Sequence, residues 1–126
     1  MCGIAGFSDF TKKSNTSILQ SMTDVISYRG PNDQGIYTKE FPETIVGLGH
    51  RRLSILDLSP LGHQPYHYNH ISLSFNGEIY NFKEIREKLR AKGYSFESNS
   101  DTEVIIKSYE ADGIACVEDF IGMFSF

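Results

Sequence analysis

Cys2 follows Met1 directly in the run Met1-Cys2-Gly3-Ile4-Ala5-Gly6-Phe7, and that position defines its chemistry. Once Met1 is removed, a step that a small second residue favours, one residue carries both a thiol nucleophile and a primary α-amine. The amine, with an ordinary pKa of ~7.7–8.0, is partly unprotonated near neutrality, and a thiol at ~8.5 needs little help to ionise. Other amino-terminal nucleophiles are activated in the same way. A retained Met1 would turn the amine into an amide, remove the base and silence the chain. An early cysteine alone is more often a small buried apolar residue, so the rest of the chain must supply a pocket.

Three other places carry residue types suited to a small polar substrate. Asn76-Gly77 lies between apolar runs, which is first of all the signal for a tight hairpin turn. Arg51 and Arg52 are adjacent, and strand alternation sends them to opposite faces, so only one can line a site. Asp101 opens a helical pattern, where the helix dipole favours an acid whatever else it does. His63, His67 and His70 tempt a metal reading, but Gly62 and Pro65 break any helix that would align them, and they are read as loop residues. Cys116 is read as core.

The elements that must position these residues fit one domain of 126 residues. Sixteen acidic against twelve basic residues give a net charge of −4, which argues against nucleic acid or an anionic membrane as partner. The opening apolar run is broken at Asp9 and no stretch approaches a membrane span, so a soluble, cytoplasmic protein with reduced thiols is expected. A strand is expected over Gly3 to Ser8. A helix follows, capped by Asn15 or Thr16, with Ile18, Leu19, Met22, Val25 and Ile26 on its buried face. A loop spans Arg29 to Gly35, and strands cover Gly35 to Thr38, Glu43 to Gly49 and Ile71 to Phe75.

Asn81 with Glu84 reads as a capping box for a second helix with Phe82, Ile85 and Leu89 as its stripe, ended by Gly93. Ser100 with Glu103 repeats the signature for a third helix carrying Val104, Ile105 and Tyr109, and Tyr94 to Glu97 reads as a short strand between them. Met123-Phe124-Ser125-Phe126 reads as a strand without a partner after it. The expectation is therefore a domain cut at its carboxyl end, with an open edge that favours self-association into a homo-oligomer.

Cys2 is joined by Arg29-Gly30-Pro31-Asn32-Asp33-Gln34-Gly35, the run from Gly49 through His50-Arg51-Arg52-Leu53-Ser54-Ile55-Leu56 to Asp57, Phe75-Asn76-Gly77-Glu78-Ile79-Tyr80-Asn81, and Ser100-Asp101-Thr102-Glu103-Val104. In order and spacing these closely resemble the amino-terminal glutaminase domain of glutamine-dependent asparagine synthetase. That family belongs to the class II glutamine amidotransferases, and the likeness runs from Cys2 to the last residue. Arg52-Leu53-Ser54-Ile55 and Gly62-His63-Gln64-Pro65 are similar to this branch rather than to the hexosamine-6-phosphate synthase or amidophosphoribosyltransferase branches. Asn32 stands where an Asp is usual in the family.

The resemblance implies an α+β fold of four layers, αββα, the amino-terminal-nucleophile (Ntn) hydrolase arrangement; the residue pattern alone gives only mixed α+β. It implies Cys2 as nucleophile and Asn76 with Gly77 as oxyanion hole. Arg52 would hold the α-carboxylate of glutamine and Asp101 the α-ammonium, with Glu78 contacting that ammonium and the backbone of Ile55 and Leu56 walling the pocket. No metal is implied for hydrolysing glutamine to glutamate and ammonia. ATP and Mg²⁺ are implied for a carboxyl-terminal synthetase domain, absent from these 126 residues, that would amidate aspartate with the ammonia. Two alternatives stay open: an amidotransferase serving another acceptor, such as a sugar acid in polysaccharide synthesis, and a non-catalytic assembly domain.

Overall fold

The computed structural model describes residues 2–54 and 62–126. Strands β1 (Gly3–Asp9), β2 (Asp33–Glu40) and β3 (Ile45–Arg52) form one antiparallel sheet in the order β1-β3-β2. β1 is the strand expected from sequence. β2 and β3 both reach further towards Arg52 than their apolar patterns indicate, because the ladder itself continues through Gln34↔Arg51 and Asp33↔Arg52. Asn32 N–H extends it by donating to Arg52 O at 3.1 Å, so the expected loop from Arg29 is shorter and begins with a single 3₁₀ turn, Ser27–Arg29.

Helix α1 (Thr16–Val25) starts where Asn15 accepts the Ile18 N–H through its side chain at 3.1 Å. It lies against the three-stranded sheet, but over a narrower stripe than expected. Leu19 and Thr23 are fully buried, whereas Ile18 and Val25 are exposed. The reason is close approach at one line only: a Cβ on Gly49 of β3 would stand 2.4 Å from Thr23 Cγ2, so the helix rests there and its flanks face outward.

The second half of the chain builds the larger core. β4 (Tyr66–Tyr68) and β5 (Ile71–Leu73) form a hairpin, and β6 (Asn76–Ile79) pairs antiparallel with β7 (Gly122–Ser125). Against them pack α2 (Phe82–Ala91) and α3 (Asp101–Asp112). Phe75, Ile79, Ile85, Leu89, Val104, Ile106 and Cys116 are all buried in this cluster. The α2 stripe is as expected. α3 differs, since every residue from Thr102 through Ser108 is buried while Tyr109 is exposed. Among the described residues no helix is long and apolar enough to cross a membrane.

Four local expectations are corrected. Asn76-Gly77 is not a hairpin turn: it opens β6, with Asn76 opposite Ser125 and Gly77 opposite Phe124. The glycine is needed there because its φ is +146° and a Cβ would lie 2.2 Å from Met123 O. The expected strand ending at Phe75 stops at Leu73. Tyr94–Glu97 forms no strand, because Tyr94 N–H goes to Leu89 O and Glu97 N–H to the Glu103 carboxylate. Asn81 precedes α2 without capping it; its amide instead donates to Asp119 O and accepts Ile121 N–H, both at 2.9 Å, tying α2 to the segment before β7.

Candidate active site

Cys2 precedes β1, and the β1–β3 register, Gly3 opposite Arg51, brings it beside the end of β3. There Leu53 N–H points at Cys2 Sγ from 3.4 Å, and the thiol faces Leu53 O at 3.8 Å. Arg29 Nε donates to Cys2 O at 3.0 Å. Cys2 is half-buried, with its carbonyl held by Arg29 and its sulfur by the Leu53 backbone.

Alternation along β3 separates the two arginines as the sequence requires. Arg51 turns towards α1, donating from Nε to Thr23 O at 3.0 Å and pairing with Asp24. Arg52 turns to the other side and lines an open cleft of about 780 Å³. Its guanidinium packs on Gly62, where a Cβ would come within 2.0 Å of Nη2. Gly62 entered the sequence reading only as a helix breaker and a family mark; its second role is room for this guanidinium.

The opposite wall of the cleft comes from β6 and the start of α3. Asn76, Gly77, Glu78 and Asp101 line the same cleft as Cys2 and Arg52. Asp101 Oδ2 accepts Ile79 N–H at 3.0 Å, which joins the first turn of α3 to β6. Burial pushes the Asp101 carboxyl above its usual range, the negative Glu78 adds to the shift, and N–H donors from Ile79 and Thr102 oppose it. An arriving cation would relieve that burial cost. The side-chain amide of Asn76 makes no hydrogen bond among the described residues, and its Oδ1 is buried without a partner. All six described residues singled out in the sequence thus share one cavity, while Ile55 and Leu56 lie outside the described residues.

What sequence reading missed is the support of this wall. Ser100 does cap α3, accepting Glu103 N–H at 3.3 Å, but the Glu103 carboxylate does not close the expected capping box. It turns inward, fully buried, and accepts Glu97 N–H at 3.0 Å, Ser98 N–H at 2.8 Å and Ser98 Oγ–H at 2.7 Å. Lys107, also buried, pairs with it at 2.7 Å and donates to Ser95 O. Burial alone would raise the Glu103 pKa; the Lys107 ammonium and the Glu97 and Ser98 donors outweigh it and hold the carboxyl below its ordinary range. From the other side Arg86, packed over the Phe82 and Phe96 rings, donates to Asn99 Oδ1 at 3.0 Å and Ser100 O at 2.9 Å. The segment 97–100, which lines the cleft just before Asp101, is therefore held at the N–H groups of Glu97, Ser98 and Ser100, the hydroxyls of Ser98 and Ser100, Asn99 Oδ1 and Ser100 O. The Glu103–Lys107 spacing of four on a helix was the available signal, and it reads as surface support until burial is known.

Among the described residues no group of three or more His, Cys, Asp or Glu side chains is arranged to hold a metal ion. His63 Nδ1 pairs with Asp33 Oδ2 at 2.7 Å, and His67 Nδ1 with Ser72 Oγ at 2.8 Å. His67 lies on β4 rather than in a loop, since its neighbours form the first arm of the hairpin.

A thiol, an arginine, an unengaged amide and a half-buried acid thus surround one cleft. The family described as "Glutamine amidotransferase domain" matches residues 1–126. The chain belongs to this glutamine amidotransferase domain family. It is 41% identical over 142 residues to a Methanocaldococcus jannaschii protein that carries a glutamine-hydrolyzing asparagine synthetase name, covering all of this chain and 27% of that protein. It is 43% identical over 131 residues to glutamine-hydrolyzing asparagine synthetase 2 of Bacillus subtilis, covering 99% of this chain and 17% of the relative. Amidase chry2 of Gibberella zeae is 34% identical over 139 residues, with 100% of this chain and 20% of the relative covered. The chain thus spans between about a sixth and just over a quarter of the length of these relatives.

Proposed function

We propose that this chain is the glutaminase unit of a glutamine-hydrolysing asparagine synthetase. The observation that carries the proposal is the convergence of Cys2, Arg52, Asn76, Gly77, Glu78 and Asp101 on one cleft from four separate parts of the chain. Arg52 suits the α-carboxylate of glutamine because a planar guanidinium grips a carboxylate with two parallel hydrogen bonds. Asp101, with Glu78 next to it, suits the α-ammonium. With both ends of the amino acid held, the side-chain amide faces Cys2.

The reaction follows from these placements. The Cys2 α-amine takes the thiol proton, and Sγ attacks the amide carbon of glutamine. The carbonyl oxygen becomes an oxyanion, stabilised by the Asn76 amide N–H and the Gly77 N–H, donors that line the cleft before the charge appears. The protonated amine gives its proton to the amide nitrogen, the C–N bond breaks, and ammonia leaves a thioester on Cys2. Water, losing a proton to the same amine, attacks the thioester carbon; the C–S bond breaks and glutamate departs with the thiol restored. The thiol, the amine and water carry every bond change.

The ammonia passes, on this reading, to a carboxyl-terminal synthetase domain of a longer chain, where ATP and Mg²⁺ activate aspartate. The cleft residues here are matched to a zwitterionic amino acid, and the nucleotide belongs to that other domain. The three antiparallel sheets are taken as parts of the two stacked sheets of a four-layer αββα fold, with the protein acting in the cytoplasm. The 34% identity to amidase chry2 supports one alternative, the same half-reaction serving a different acceptor. The test is glutamate release from glutamine by the protein with Met1 removed. Activity that Cys2→Ala abolishes supports the reading, and activity that survives Cys2→Ala or a retained Met1 overturns it. Ammonia transfer to aspartate rather than to another acceptor separates the two versions.

A further inference from the structure

The segment Ser74–Phe75 crosses from β5 to β6 next to the central strand β3, whose two edges are occupied by β1 and β2. Phe75 is buried at 3% exposure and belongs to no strand. Its backbone N–H and C=O would be orphans, which buried peptide groups rarely are. Two buried side chains claim them instead. Gln64 Oε1 accepts Phe75 N–H at 2.6 Å, and His50 Nε2 lies 3.0 Å from Phe75 O. A carbonyl only accepts, so Nε2 carries the imidazole proton, and Nδ1 is left as a lone pair buried without a partner among the described residues. Ser74 Oγ adds a third tie, donating to Gly49 O at 3.2 Å.

These contacts bear on the site because Phe75 C=O and Asn76 N–H share one rigid peptide plane. Fixing the carbonyl fixes the direction in which the chain enters Asn76 and Gly77. We propose that His50 and Gln64 are positioning residues for glutamine hydrolysis: by gripping the Phe75 backbone from both sides they aim the Asn76 and Gly77 donors at the developing oxyanion. The inference rests on the glutaminase reading and deepens it. His50 is not part of the cleft lining, and Gln64 lines it with its amide oxygen engaged by Phe75 N–H; neither is assigned to the amino-acid ends, so their effect is expected on the transition state more than on ground-state binding. His50 and Gln64 are 14 residues apart in sequence and meet on a single backbone unit, a convergence that packing alone does not require.

The experiment uses the complete protein with a free Cys2 amine, and compares wild type with His50→Leu, His50→Gln, Gln64→Met and the double variant His50→Leu/Gln64→Met. Glutamine hydrolysis, calorimetric binding of L-glutamate and thermal unfolding are measured on each. His50→Leu and Gln64→Met are expected to lower kcat roughly 10- to 100-fold while KM and the glutamate Kd change less than about threefold. His50→Gln, which keeps an N–H at the same reach, recovers most of the rate. The double variant is no slower than its slower parent, because both residues act through one peptide. Unchanged kcat in folded single variants overturns the proposal, as does a loss that falls mainly on KM and glutamate binding. Failure of His50→Leu and Gln64→Met to fold, or a His50→Gln rate no better than that of His50→Leu, makes the pair structural only. If wild type shows no Cys2-dependent hydrolysis, the glutaminase reading falls and this inference with it.

Discussion

The two walls of the cleft are built by different means. On one side Cys2 and Arg52 are carried by the β1–β3–β2 ladder, where backbone register places them. On the other, Asn76 to Asp101 are held by buried polar side chains: Glu103 and Arg86 around residues 97–100, and His50 and Gln64 at Phe75. A ladder repeats the same bond many times, so losing one side chain disturbs it little. The polar wall has one short ladder, β6 with β7, and beyond it few bonds, each made by one buried group, where an unmatched member is costly. Substitutions of supporting residues should therefore damage the second wall far more than the first.

The largest expected effect belongs to the ladder wall and is chemical rather than structural. Cys2→Ala should abolish glutamine hydrolysis without a change in melting temperature, while synthesis from added ammonia by the complete protein is spared. On the polar wall, Glu103→Ala should destabilise the fold by about 3–5 kcal/mol, since it leaves the Lys107 ammonium buried and unpaired. Denaturant unfolding measures this, and a loss below 1 kcal/mol would erase the contrast between the walls. Asn76→Ala should lower kcat roughly 100- to 1000-fold with little effect on KM, the usual cost of one oxyanion donor. An effect mainly on KM would make Asn76 a binding residue.

A pH titration of stability sharpens the same comparison. Burial first of all lowers the His50 pKa from 6.5 to about 4, with Asp33 opposing the shift and Arg52 and His63 adding to it. The unfolded chain therefore binds a proton that the folded protein refuses between those values. The contribution is fully present above pH 6.5 and is lost as the pH falls through about 4, an effect of about 3 kcal/mol. His50→Gln should flatten that part of the profile. The smallest effects expected are in recognition: Arg52→Ala and Asp101→Ala should each weaken glutamine binding by about 1.5–3 kcal/mol. Because the Asp101 pKa is raised, KM for glutamine should climb as pH falls, beginning above the range of an ordinary aspartate, and Asp101→Asn should remove that limb.

Legibility in the sequence divides along the same line. Alternation at Arg51-Arg52, the Asn15 cap and the α2 stripe could be read because each depends on neighbours within one or two turns of the chain. Asn76-Gly77 could not: its local signal is a turn, but β7, more than forty residues later, pairs with it and makes it a strand. Glu103 was legible as a capping residue, and half of that motif is present, yet its carboxylate serves Glu97 and Ser98 because Lys107 and the core around it exclude water. Tyr94 to Glu97 has the residue types of a strand and no strand partner to take its N–H groups.

By itself the sequence determined the reactive types and their order: a thiol at position 2, one arginine of a pair turned to the site, an Asn-Gly pair and an acid at the head of a helix. Those are properties of residue chemistry and of the periods of strand and helix, and they need no knowledge of what lies across the fold. Only the tertiary structure decided that Gly62 makes room for the Arg52 guanidinium, that Glu103 and Lys107 are buried, and that His50 and Gln64 grip one peptide before Asn76. Burial turns a polar side chain from a solvated surface group into an obligatory partner, and burial is set by segments that meet across the fold, far apart in sequence.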